Sequence, residues 1–367
     1  MKKDQFGIIK RYFCIVCKFY TIRILLIDNR LVSIQNRGIQ MRKIKIIGMG
    51  KYLPGKAVLS SEIDKKLGLS DGWTEKKSGV YKRYYANGET ASEMGAKAAQ
   101  KALEDAGLIL EEIDCVVSAS GTMEQPIPCT ASLIHEKLKP KRPIPAFDIN
   151  STCLSFVTAL DVMSFLVDAG KYRHVLLVSS DIASIGINPM QKESYVLFGD
   201  AAVACVIRRS NDGEESTIRA SLMYTHSEGA RFTEIRGGGT HLHPNDHSVK
   251  EDFLFDMDGK AIFRLSSKVI NGFMDELLDQ ASLSTEEIDW LVPHQASGMA
   301  MRILAGKIGF ESRKMVNVIK NYGNTIAASI PLALHDAIQN NQIRRGQKVL
   351  LLGTSAGLSL GGLIIEY

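Results

Sequence analysis

The 367-residue sequence lacks most of the features that settle a protein's class at a glance. Its six cysteines, at positions 14, 17, 115, 129, 153 and 205, follow no spacing of a disulfide framework, which excludes a stapled secreted scaffold. No uninterrupted run of 18 apolar residues occurs, so no transmembrane helix and no stable membrane insertion are expected. No secretory leader with a small-residue cleavage site is visible, and a reducing cytoplasm is the expected compartment. A basic stripe is also missing: the formal charge is +5, and much of that excess lies in the first 43 residues. Nucleic acid is therefore not an expected partner, while a mild preference for phosphate-bearing or acidic ligands survives. With 45% apolar and 23% charged residues, extended disorder is excluded as well.

Metal signatures are equally thin. Cys14 and Cys17 form a C-x-x-C with no second pair, inside an apolar segment broken by lysine and arginine. The histidines of "GGGTHLHPNDH" (237–247) fit no strong ligand spacing, and the stretch reads as a solvated insertion. No metal is expected. Residues 1–40 differ from the rest, and Met41 followed by "RKIKIIGMGKYLP" reads like a natural domain start. The extension is either a weak amphipathic surface anchor or the product of an upstream start codon, and the second is favoured.

What the sequence does contain is a copy of itself. Residues 93–120, "EMGAKAAQKALEDAGLILEEIDCVVSAS", match 267–294, "SKVINGFMDELLDQASLSTEEIDWLVPH", as amphipathic helix, polar turn, "EEID" and short apolar strand. The parallel continues from 144–181 to 315–355, each a strand, polar loop, small-residue helix, basic turn and buried strand. The closing runs "VLLVSS" and "VLLLGT" are continuous apolar stretches, as central strands covered on both faces require. Two fused α/β halves follow, 41–210 and 211–367, with a seam at "RRSNDGEEST" (208–217). The expected architecture is a five-layered α-β-α-β-α sandwich whose helices after Cys153 and Asn324 are buried between the sheets.

The duplication singles out three residues. Cys153 and Asn324 are read as equivalent points of the two repeats, both at strand-to-helix junctions, and His294 ends a strand near the same centre. A cysteine at a helix N-terminus meets unsatisfied N–H groups and the positive end of the helix dipole, which favour the nucleophilic thiolate. For a lone cysteine the reading of a buried, inert thiol would win, and it is applied to Cys115 and Cys205. Pro293 ends the strand before His294, so the imidazole is expected on a fixed loop. The Asn324 amide can donate to an oxygen.

These residues sit in motifs that resemble a family. From Met41 to Tyr367 the chain is similar to the ketoacyl-ACP synthase III branch of the thiolase-like condensing enzymes. The motifs "KIIGMGKYLP", "LSDGWTEKKSGVYKRYY", "FDINSTCLSF", "YVLFGDAAVACVI", "DWLVPHQA" and "NYGNTIAASIP" occur in that family's order. The resemblance implies a thiolase-like fold and a Cys153, His294, Asn324 triad. Cys153 would take an acyl group from a thioester, and His294 and Asn324 would hold a malonyl thioester while it decarboxylates and condenses. It further implies an oxyanion hole from the N–H groups of Cys153 and Ala356, adenine stacking on Trp73, and Ile127 inserted into a second subunit's acyl tunnel. A homodimer, acyl-CoA or acyl carrier protein as partner, and no metal or organic redox cofactor follow from the same resemblance.

The departures concern substrate choice. Thr354 stands at a position commonly phenylalanine, "TSAG" replaces a glycine triplet, Lys77 replaces a common arginine near the phosphopantetheine mouth, and Ser297 and Met299 replace an asparagine and an arginine. The alternative is an acyltransferase making an ester or amide from the Cys153 acyl-enzyme, with His294 as general base. A hydroxymethylglutaryl-CoA synthase would need a glutamate where Ser120 stands, with Glu124 close by, and a non-catalytic partner subunit is disfavoured by the intact triad.

Overall fold

In the computed structural model, which describes residues 22–27, 30–35, 41–244 and 247–367, the chain separates into a unit ending at Met41 and a second spanning Arg42–Tyr367. In the first, β1 (Ile22–Ile27) and β2 (Arg30–Gln35) pair antiparallel, as their aliphatic β-branched content favours. Cys14 and Cys17 lie outside the described residues.

The two large sheets of the second unit share one wiring. Strands β3 (Ile44–Tyr52), β4 (Cys115–Ser118), β5 (Ala146–Asp148), β6 (His174–Asp181) and β7 (Ala201–Arg209) lie in the order β3-β7-β6-β4-β5. Strands β8 (Thr217–Thr225), β9 (Trp290–Pro293), β10 (Lys348–Ser355) and β11 (Ser359–Glu366) lie in the order β8-β11-β10-β9. A parallel bridge from Leu291 to Met315 occupies the place of β5. Both sheets are parallel around β4 and β9 and antiparallel at β7 and β11.

The shared "EEID" closes the same turn twice. Glu112 accepts the N–H of Ile109 at 3.0 Å and Glu287 that of Ser284 at 2.8 Å. Two residues on, Asp114 accepts the N–H of Arg173 and Asp289 that of Lys348, each at 2.8 Å. Each glutamate fixes the turn after a helix, and each aspartate ties the new strand to the neighbour with which it runs parallel.

Helices α1 (Ala91–Ala106) and α2 (Thr130–Leu138) cover the outer face of the first sheet. Between the sheets lie α3 (Ser155–Asp168) and α6 (Ser329–Gln339), and α4 (Gly259–Ala281) with α5 (Gly298–Lys307) covers the outer face of the second sheet. These are the five layers expected of a thiolase-like fold. A capping box starts α1: Thr90 Oγ1 accepts the Glu93 N–H at 3.3 Å while the Glu93 carboxylate accepts the Thr90 N–H at 3.0 Å. The helix lies so near β3 that a Cβ on Gly50 would fall 2.4 Å from the Ala98 carbonyl oxygen. Expected burial holds along α6 from Ser329 to Ala337. It holds on one face only of α3, where Phe156, Leu160 and Met163 pack inward and Val162 and Phe165 stay 44% and 51% exposed.

Candidate active site

Hydrogen bonds at the two strand-to-helix junctions reveal the register of the repeat. Asn150 Oδ1 accepts the Thr152 N–H at 2.8 Å, and Asn324 Oδ1 accepts the Ile326 N–H at 2.9 Å. Ser155 and Ser329 then open α3 and α6. Asn324 is thus the counterpart of Asn150, and Cys153 corresponds to Ala327. The expected equivalence of Cys153 with Asn324 is three residues out of register. Two loops of polar and small residues carry no periodicity that would align them, whereas an asparagine closing its own turn does.

Cys153 follows Thr152 in the turn that leads into α3 and is half-buried. Its thiol is pushed up to about 12, first by burial and then by the charge of Asp181, against the opposing pull of the backbone N–H groups of Cys153 and Ala356. The thiolate expected from the helix N-terminus is therefore not the resting form. Local N–H donors are present, but desolvation and a neighbouring carboxylate outweigh them. At neutral pH the group is a thiol with two N–H donors directed at its sulfur.

His294 leaves β9 with its N–H on the Leu352 carbonyl at 2.8 Å, which fixes its backbone to β10. Its ring is buried, with Nδ1 2.6 Å from Ser329 Oγ. Ser329 Oγ also accepts the Gln295 N–H at 3.4 Å; in the tautomer where the Ser329 hydroxyl donates to Nδ1, the imidazole carries its proton on Nε2. Burial holds the imidazole pKa down to about 4, and the ring is neutral at physiological pH. Asn324 is held by its backbone: its N–H reaches the Leu197 carbonyl at 2.8 Å and its carbonyl accepts the Gly199 N–H at 3.0 Å. With Oδ1 engaged by Ile326, Nδ2 is the donor left for a ligand.

Two glycines let these turns close on one another. A Cβ on Gly353 of β10 would lie 2.9 Å from His294 Cβ and 3.1 Å from Leu154 Cδ2. One on Gly121, after β4, would lie 2.5 Å from Ile326 Cγ2 and 3.2 Å from the Thr152 carbonyl carbon. The Cys153 turn, His294 and the Asn324 turn thus gather around the ends of β4 and β10.

Sequence reasoning overlooks two residues here. Ser329 is hidden among the small residues that open α6. Asp181 ends β6 with no exposed surface, and burial raises its pKa to about 6. Its signal is an acidic residue closing the otherwise apolar and hydroxylic "VLLVSSD". The two residues weighed for a carboxylate reaction do something else. Ser120 Oγ lies 3.1 Å from Ser118 Oγ and accepts the Ser180 N–H at 2.9 Å, and Glu124 accepts the Ser92 N–H at 2.7 Å at the start of α1.

The remaining predicted residues are dispersed. Trp73 opens a short helix, Trp73–Ser78, with Lys77 Nζ 5.7 Å from its ring centroid and paired with Glu193 at 3.2 Å. Ile127 is 85% exposed. Among the described residues, no hydrogen bond or ring contact joins these three to Cys153, His294 or Asn324. Thr354 is half-buried beside Gly353, and Ala356 follows the end of β10. Ser297 caps α5, accepting the Ala300 N–H at 3.1 Å, and Met299 is 54% exposed. His241, His243 and His247 belong to no group of three or more metal-ligating side chains among the described residues.

Comparison with known proteins adds the following. Family models described as 3-oxoacyl-(acyl-carrier-protein) synthase III and its C-terminal part match residues 147–227 and 278–367. Beta-ketoacyl-(acyl-carrier-protein) synthase III of Aquifex aeolicus is 34% identical over 323 residues, covering 88% of this chain and 99% of that protein. The Chlamydia caviae protein of the same name is 33% identical, with 89% and 98% covered. The crystal structure of 3-oxoacyl-(acyl-carrier-protein) synthase III from Aquifex aeolicus superposes with a TM-score of 0.79 at 31% identity, covering 89% of this chain and all of that one. That from Pseudomonas aeruginosa gives 0.79 at 29% identity, with 89% and 98% covered.

Proposed function

The chain belongs to the 3-oxoacyl-(acyl-carrier-protein) synthase III family of condensing acyltransferases in fatty acid biosynthesis, and on that premise we propose that Cys153, His294 and Asn324 divide the reaction between them. The Cys153 sulfur attacks the carbonyl of an acyl thioester, taken as an acyl-CoA. The bond to the donor's sulfur breaks, and the cysteine proton ends on the departing thiol. The N–H groups of Cys153 and Ala356 receive the charge that gathers on the oxygen, and such donors are each worth roughly 10²–10³ in rate. The covalent intermediate splits one difficult condensation into two steps.

A malonyl thioester of the carrier protein then lays its thioester carbonyl against His294 Nε2–H and Asn324 Nδ2–H. Carbon dioxide leaves, its electron pair becomes an enolate held by those donors, and the enolate carbon attacks the acyl carbon. The carbon–sulfur bond to Cys153 breaks, the sulfur regains a proton from solvent, and a 3-oxoacyl thioester departs. None of these steps calls on a metal or an organic redox cofactor. Trp73 and Lys77 serve the coenzyme A end of the donor, and Thr354 the acyl end.

We take 41–210 and 211–367 as the two halves, the first carrying Cys153 and the second His294 and Asn324, a division supported by their common wiring. A homodimer with Ile127 in the partner's tunnel is supported by the exposed Ile127, Val162 and Phe165. A cytoplasmic setting is supported by four free cysteines, Cys115, Cys129, Cys153 and Cys205, among the described residues.

The observation that carries this reading is the occupancy of the polar atoms. His294 Nδ1 and Asn324 Oδ1 are both engaged by their own scaffold, which leaves Nε2 of the one and Nδ2 of the other to face a substrate oxygen. The test is intact mass after incubation with a panel of acyl thioesters, followed by malonyl thioester. Cys153→Ala is expected to form no acyl adduct, and Asn324→Ala to form it but not release carbon dioxide. An undiminished adduct on Cys153→Ala would sink the nucleophile assignment.

A further inference from the structure

Asp181, fully buried, joins the loop after β4, which packs on Thr152, to the Asn324 junction. Its Oδ1 accepts the N–H of Gly121 at 2.9 Å, the N–H of Thr122 at 2.8 Å and the Thr122 hydroxyl at 2.9 Å, all from the loop after β4. Its Oδ2 accepts the N–H of Ala328 at 3.1 Å. Ala328 immediately precedes Ser329, whose hydroxyl holds His294 Nδ1. The same loop, through Gly121, packs on Thr152 and Ile326. Among the described residues Asp181 makes no ion pair, although isolated buried charge is costly.

We propose that Asp181 is a positioning residue: through the loop after β4 that packs on the Cys153 turn, it ties that turn to the helix that orients His294, and it holds its negative charge near the Cys153 thiol. The geometry explains why the residue is an aspartate. Four donors converge on two oxygens, and an asparagine amide would turn an NH2 group toward at least one of them. Asp181 also contributes, after burial, to holding the thiol up at about 12.

Other titratable groups around Cys153 are few. His294 stands at the end of β9, and Glu124 in the loop after β4 is committed to the Ser92 N–H. The Asn324–Ser329 and Ser355–Gly357 turns carry no ionisable side chain.

The inference rests on Cys153 being the nucleophile, so its test reads the thiol rather than turnover. Cys153 alkylation by iodoacetamide is followed by peptide mass from pH 5 to 10 in the full chain, with Cys153→Ala as the blank. Asp181→Asn is expected to alkylate about tenfold faster at pH 8, the gain that one unit of pKa gives a mostly protonated thiol. Malonyl decarboxylation by the acylated Asp181→Asn enzyme is expected to fall by more than acylation does. An unchanged alkylation profile in folded Asp181→Asn overturns the proposal. If that variant does not fold, the wild-type profile decides: Asp181 protonates near pH 6, so the rate is expected to fall less than tenfold per unit below it. A uniform tenfold fall per unit from pH 8 to 5 overturns the proposal. Absence of an acyl adduct with an altered alkylation profile would instead count against the catalytic role of Cys153 alone.

Discussion

Thr152 and Ile326, at matching points of the two halves, both hold a left-handed backbone with φ of 53°. β-Branched residues rarely do so, and the conformation costs roughly 1–2 kcal/mol per residue. Each has its N–H taken by an asparagine two positions earlier, Asn150 or Asn324. The strained residue stands one position before Cys153 in the first half and two after Asn324 in the second, where a sharp turn must aim a side chain.

Thr152→Gly tests whether that strain serves positioning. It removes the left-handed penalty and a buried hydroxyl oxygen without a partner, while glycine's extra freedom costs about 0.5–1 kcal/mol. The urea midpoint is expected to stay level or rise, and acyl adduct formation to slow about tenfold or more. A variant that is as stable and as fast as wild type would show the turn to be incidental.

Ser329→Ala removes the partner of His294 Nδ1 and frees the ring's tautomer. A neutral hydrogen bond contributes about 0.5–1.5 kcal/mol, so decarboxylation is expected to slow by about tenfold with acylation nearly unchanged. Equal losses in both half-reactions, measured separately by carbon dioxide release and by mass, would contradict the assignment.

Gly353→Ala should fold and fail. The added methyl meets His294 Cβ at 2.9 Å, an atom attached to the backbone and unable to rotate away. Both half-reactions are expected to drop at least about tenfold, with a stability loss of about 1–3 kcal/mol from overpacking. Full activity would mean that the approach of His294 to the Cys153 turn is not needed.

Acid stability separates His294 from Asp181. The folded imidazole titrates near 4 against an ordinary 6.5, so its contribution is present above pH 6.5 and is lost as pH falls toward 4. Asp181, raised to about 6 from 3.8, has the opposite sign: folding favours its protonated form, and stability is gained as pH falls from 6 toward 4. In His294→Asn only the second effect remains. Its urea stability relative to wild type is expected to rise as pH drops from 6.5 to 4, by up to about 1.4 kcal/mol per pH unit. A constant difference across that range would place the imidazole in contact with water.

Much of this arrangement is legible in the chain. The five layers follow from two runs of alternating helix and strand, because hydrophobic periodicity and turn chemistry are local properties. "EEID" is recognisable twice because Glu112 and Glu287 act within their own turns. Cys153, His294 and Asn324 stand out because chemistry-bearing side chains sit where strands end. The register of the Asn324 turn is not legible, since loops of polar and small residues look alike until their hydrogen bonds are seen.

The sequence by itself determines which functional groups are available and which elements carry them. The tertiary structure alone decides their state. A helix N-terminus argues for a Cys153 thiolate, yet burial and the Asp181 carboxylate from another strand keep it a thiol, and His294 is neutral because the fold buries it. Desolvation and Coulomb energy depend on what packs around a group from distant parts of the chain, and no neighbouring residue in the sequence records that.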